Sequence, residues 1–188
     1  MLEKKYKTSI IWNNIYGDYM YYINCFFVYS FFGFLLENLI CIIKREKKGS
    51  GILYGPWTPI YGIGAVLILF ISKFLFNILK LEKWLEVLTV LLVITLTLTI
   101  IEWASGVLIE KIFHVTFWDY REFRFNIGKY IALEISLIWG ISALVVIYII
   151  QPLLDKFIYL IPNHITYILI TLIIIDFMVI FIKKKVHK

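Results

Sequence analysis

Five long apolar runs, separated by short polar and basic clusters, set the pattern of the chain. They lie near Tyr22–Ile43, Ile60–Leu79, Leu85–Ile109, Tyr130–Ile150 and Ile165–Ile182. A helix of about 20 apolar residues crosses roughly 30 Å of hydrocarbon, so each run predicts one membrane span. Residues 8–20, with Trp12, Tyr16, Tyr19 and Met20, suit the headgroup boundary, where aromatic rings collect. Pro152–Pro162 reads as an interfacial loop. The expectation is an all-α, polytopic membrane protein of about five transmembrane helices. An N-terminal interfacial segment (1–21) precedes the bundle (22–182), and a basic tail (183–188) follows it.

Composition agrees with a lipid solvent. The chain is 61% hydrophobic over 188 residues, with a mean hydropathy of +0.85. Soluble domains run nearer 45–50% apolar. The lipid bilayer is therefore the first expected partner. The net charge of +6 falls in clusters beside the apolar runs and not on a soluble basic module, so nucleic acid is not an expected partner. Twelve of the nineteen Lys and Arg residues fall in the 44–59 loop, the 110–129 loop and the C-terminal tail, which five spans would put on one side. Because cytoplasmic loops are enriched in Lys and Arg, the N-terminus is expected outside and the C-terminus in the cytoplasm of a bacterial plasma membrane. The N-terminal residues lack the apolar core and small-residue cleavage site of a signal peptide. Cys25 and Cys41 on one helix would lie about 24 Å apart at 1.5 Å per residue, too far for a disulfide.

Acidic residues inside the runs need a reason, since each costs a few kcal/mol in a bilayer. Glu37, Glu102, Glu110, Glu134 and Asp176 all fall in the half nearest the basic loops, and the other half has no such residue. That asymmetry predicts a polar cavity opening inward. Ser30, Gly33, Glu37 and Cys41 share one helical stripe, as do Thr95, Thr99, Glu102, Gly106 and Glu110. The two stripes are expected to face each other or a shared cavity, and Ala132, Ser136, Gly140 and Ala143 to form a packing face. Plainer readings exist for several: Glu110 at the interface beside Lys111, Glu134 snorkelling, Asp176 as a helix-to-helix hydrogen bond. Two aromatic loops could cap the cavity or anchor the chain at the headgroups. The 49–62 segment is dense in Gly and Pro and could be re-entrant, and 117–128 interleaves aromatic and charged residues.

These residues carry a resemblance. Ser30-Phe-Phe-Gly-Phe-Leu-Leu-Glu37, Gly51-Ile-Leu-Tyr-Gly-Pro-Trp-Thr-Pro-Ile-Tyr-Gly62, Glu102, Glu110-Lys-Ile-Phe, Phe117-Trp-Asp-Tyr120, Phe125-Asn126 and Trp139-Gly140 occur in that order. The sequence resembles the bacterial family labelled putative ABC-transporter type IV, the CmpB-type ABC transporter permeases, over roughly residues 26–147. It departs where the family commonly has Asn-Arg (here Gly49-Ser50) and Gly-Arg (here Lys129-Tyr130). The resemblance implies a membrane-embedded permease component. Joined with the carboxylates, it gives a candidate cavity or cation site of Glu37, Glu102, Glu110, Tyr54, Tyr61, Trp118, Asp119, Tyr120 and Asn126.

The chain has no Gly-x-x-x-x-Gly-Lys-Ser/Thr motif, so ATP hydrolysis would come from a separate nucleotide-binding ATPase subunit. Five spans is small for a permease, which points to a homo-oligomer. Two readings of other classes stand beside this one. A non-catalytic scaffold or accessory subunit fits the composition. An intramembrane enzyme acting on a lipid-linked substrate could use Glu37, Glu102 and Asp119 as acid and base. Against catalysis, His114 is the only histidine near the site, no metal-ligand spacing occurs, and no nucleophile elbow is present. No catalytic residue, metal or cofactor is assigned.

Overall fold

A computed structural model describes residues 15–45, 53–79 and 81–186. Residues 8–14 of the expected interfacial segment, 46–52 of the first loop and 187–188 of the tail lie outside the described residues. The chain forms helices α1 (Ile15–Lys44), α2 (Pro59–Ile78) and α3 (Lys83–Phe113), a minimal hairpin of β1 (Asn126–Ile127) and β2 (Ile131–Ala132), then α4 (Leu133–Val145), a π-helical turn (Val146–Ile150), α5 (Gln151–Tyr159) and α6 (Asn163–Val186). Among the described residues, five helical segments are long and apolar enough to cross a membrane, with α4, the π turn and α5 acting as one. The bundle is that of a multi-pass membrane protein. Leu96, Ile141, Ile168 and Ile182 are among many large apolar side chains left exposed, a surface that hydrocarbon tolerates and water does not.

Helix alternation puts the ends of α1, α3 and α6 and the starts of α2 and α4 on one side, here termed the loop face. Two boundaries differ from expectation. Helix α1 begins at Ile15, so Ile15–Tyr21 extend the first span as helix. Pro152 does not open a loop, and Gln151–Tyr159 continue the fourth span. A proline inside a helix lacks an N–H and crowds the carbonyl four residues back. The π turn just before it, in which Gln151 N–H reaches Val146 O, widens the helix and absorbs that defect.

The π turn also divides the packing of the fourth span. On its α4 side Ala143 and Val146 join Ile68, Val90, Ile94 and Leu98 of α2 and α3. Beyond it Ile150, Leu154 and Ile158 join Cys25, Tyr29 and Ala65 of α1 and α2. Ser136, Gly140 and Ala143 form the buried face of α4. A third cluster ties Phe27 of α1 to Leu53 and Trp57 of the first loop and to Ile173 and Ile180 of α6. Thr89, Thr95, Thr97 and Thr99 each donate to the carbonyl four residues back, which satisfies their hydroxyls within α3.

Candidate functional site

The first loop runs back into the bundle. Thr58 N–H donates to Ser30 O at 2.9 Å, fourteen residues before the end of α1, or about 21 Å at 1.5 Å per residue. Asp176 on α6 holds this segment. It accepts from Tyr54 N–H (2.9 Å), Gly55 N–H (2.7 Å) and Trp57 Nε1 (3.0 Å). Backbone at membrane depth survives only where protein or water satisfies it, and here the carboxylate of Asp176 does so. Asp176 is thus a loop anchor and not a helix-to-helix contact. Lys183 Nζ caps the arrangement, donating to Tyr54 Oη at 2.9 Å and lying over the Tyr54 ring.

The second loop is pinned to α3 and α4 in the same manner. Tyr120 Oη donates to Glu102 Oε1 at 2.7 Å. Lys129 Nζ and Tyr130 Oη both donate to Glu110, and Phe125 N–H donates to Glu134 Oε1 at 3.2 Å. Gly106 makes the approach possible, because a Cβ there would strike the Tyr130 ring. Gly128 turns the hairpin at φ +67°. The Arg121 guanidinium holds the Asp119 carboxyl well down, to about 2, and the same pair pushes the Arg121 value up. Glu110 raises that of Lys129. Burial, and then the neighbouring Glu102, push the Tyr120 phenol well above its ordinary range.

Within the helix bundle lies a cavity of about 360 Å³. Its walls are Gly33 and Leu36 of α1, Tyr61 and Gly64 of α2, and Leu98 and Glu102 of α3, closed by Trp139 and the π turn. Tyr61 rests on Gly33, where a Cβ would collide with its ring. Its hydroxyl donates to Glu37 Oε1 at 2.5 Å, and Trp139 meets its ring edge-on at 5.7 Å. Glu102 is only 5% exposed. Its second oxygen, Oε2, has no hydrogen-bond partner, nor has Trp139 Nε1. The two side chains are close enough to interact, without hydrogen-bond geometry between those atoms. A buried oxygen and a buried N–H thus sit near each other in an otherwise apolar chamber, neither with a well-formed hydrogen bond.

The model of the family described as putative ABC-transporter type IV matches residues 24–183. The chain belongs to this family. No curated protein and no solved structure matches it.

In this member of the ABC-transporter type IV family, the candidate residues separate into groups. Tyr61 and Glu102 line the cavity, Glu37 joins through Tyr61, and Tyr120 caps Glu102. Glu110 sits apart, on Lys129 and Tyr130. Trp118 packs edge-on against Tyr130 with its indole N–H buried and unpaired. Tyr54 belongs to the Asp176 cluster. Asp119 pairs with Arg121, and Asn126 bonds Gly128 O in the hairpin turn; neither reaches the cavity. Helices α1 and α3 share the cavity, with α2 at its back. Cys25 and Cys41 are free thiols.

Sequence reasoning missed three features. Trp139 drew notice only as part of a motif, although a lone indole beside Gly140 in an apolar helix invites the question of what its N–H bonds. The π turn left one trace, the Gln151-Pro152 pair. Asp155 breaks the expected acidic asymmetry: at the opposite end of the bundle it accepts from Tyr21 Oη (2.6 Å) and Gln151 Nε2 (2.7 Å), while Tyr29 Oη donates to Gln151 Oε1 at 2.7 Å.

Proposed function

We propose that this protein is the membrane-embedded permease-like component of an ABC-type transport system, with Glu102 and its cavity as the cargo site. The observation that carries the reading is the free, buried Oε2 of Glu102 in an apolar chamber within the spans. Tyr120 holds Glu102 through its other oxygen, and Glu134 also keeps one buried unpaired oxygen, but Glu102 is the acidic residue that lines the cavity. Energy would come from a separate nucleotide-binding subunit docked on the loop face. Twelve of nineteen Lys and Arg residues fall in the loop-face segments, which supports a cytoplasmic loop face and an N-terminus outside.

A tagged protein purified in mild detergent tests this. A nucleotide-binding ATPase should co-purify in fixed proportion, and its activity should fall with Glu102→Gln while the complex stays intact. A homo-oligomer without an ATPase would overturn the reading. The scaffold reading has one observation in its favour: Glu110, Glu134 and Asp176 all hold loops in place. Under it, Glu102→Gln would leave the ATPase activity of the complex unchanged.

A further inference from the structure

The cavity opens sideways. Its back is α2. Toward the loop face the Tyr61–Glu37 and Tyr120–Glu102 pairs close it. Toward the other end, the π turn brings Gln151 onto Tyr29, which closes the floor. The remaining side lies between α1 and α4. There the lining residues Phe32 and Leu36 on one rim and Ile141 and Val145 on the other are 46%, 46%, 60% and 39% exposed. All four lie within membrane-spanning stretches, so the opening faces hydrocarbon and not water.

We propose that this opening is a lateral portal through which a single-chain amphiphile enters from the bilayer, its alkyl chain in the apolar cavity and its hydrogen-bond-donating head, hydroxyl or ammonium, on Glu102 Oε2. The volume of about 360 Å³ lies near the bottom of the roughly 300–1,000 Å³ range of small-molecule sites, which suits one chain and not a whole two-chain lipid. An alkyl chain gains little by moving from lipid to apolar protein, because the two are equally apolar. Selection must therefore rest on the head. The unpaired acceptor of Glu102 favours a donor there, and Trp139, in the same lining, keeps an unpaired indole N–H that a hydroxyl oxygen can accept from. A carboxylate head would bring two acceptors against Glu102 and is disfavoured.

The inference deepens the transport reading by naming its cargo class, yet the test needs no ATPase. The full chain, in phosphatidylcholine vesicles, is irradiated with three diazirine-bearing probes of equal chain length: an alkyl amine, an alkyl alcohol and a fatty acid. Labelled residues are mapped by mass spectrometry. The amine or the alcohol should label cavity residues of α2 and the π turn about fivefold more than the acid, a factor of the order that one buried hydrogen bond supplies. Preference for the amine alone identifies an ammonium head, and preference for both includes hydroxyls. Ile141→Trp and Val145→Trp, at exposed rim positions, should each cut cavity labelling while leaving labelling of α6 unchanged. Glu102→Gln should erase the preference for the amine. Equal cavity labelling by all three heads, or labelling indifferent to both rim substitutions, would overturn the portal. A co-purifying ATPase with an unlabelled cavity would sink the lateral route alone; a selectively labelled cavity without an ATPase would sink the permease alone.

Discussion

Tyr120 reaches Glu102 across eighteen residues of sequence, and its phenol carries a measurable signature. Burial, followed by the neighbouring carboxyl, pushes its ionisation above the ordinary value, while the unfolded chain ionises near pH 10. The folded state thus keeps a proton that the unfolded state gives up. Tyr120 contributes fully below about pH 10, and its contribution fades as the pH rises above that value. Tyr120→Phe should remove this slope. It should also destabilise the protein by about 1–3 kcal/mol, because Glu102 is left buried with neither oxygen hydrogen-bonded. Thermal unfolding of wild type and variant in detergent from pH 8 to 11 checks both. Identical curves would show that the contact is not made. The depth of Glu102 was legible, since 1.5 Å per residue counted back from Lys111 fixes it. Its partner was not, because a phenol arriving from a loop leaves no periodic mark.

At the scale of elements, the loops are where sequence and structure diverge most. Five apolar runs announce five spans because run length is a local property. The first loop is different. Its Gly and Pro density permitted a re-entrant path, but the carboxylate that holds it lies more than a hundred residues later, on α6. Asp176→Asn tests that dependence. Asn keeps one acceptor oxygen and turns an NH₂ group toward the remaining N–H donors. The loop should loosen, at a loss of roughly 1.5–3 kcal/mol, the range for hydrogen bonds to a charged group. A cysteine placed at Tyr54 should then react faster with a maleimide in the Asp176→Asn background than in its absence. Equal rates would mean that the apolar contacts of Leu53 and Trp57 suffice to hold the segment. The π turn repeats the lesson: Pro152 alone argued for a loop, and the buried Tyr29 and half-buried Tyr21, partners that reward a continuing helix, come from α1.

For the whole molecule, orientation decides what the portal and the loop face are for. The described helices alternate, so the loops, the capped cavity and the end of α6 share one side whichever way the bundle sits. The proposed direction rests on the basic residues: positively charged segments favour the cytoplasmic side, and in that orientation a soluble ATPase could reach both loops. Exposed positions on opposite ends offer a direct reading. Glu122, in the second loop, and Glu82, beside the start of α3, are both open to solvent. With Cys25 and Cys41 replaced by serine, Glu122→Cys should react with a membrane-impermeant maleimide in inverted vesicles only, and Glu82→Cys in right-side-out vesicles only. The opposite pattern would turn the cavity's capped end outward and remove the loop face as an ATPase dock. The lateral portal would survive that reversal, since Phe32 and Val145 face hydrocarbon in either orientation. The leaflet nearest its mouth would change, and with it the side of the membrane from which an amphiphile is drawn.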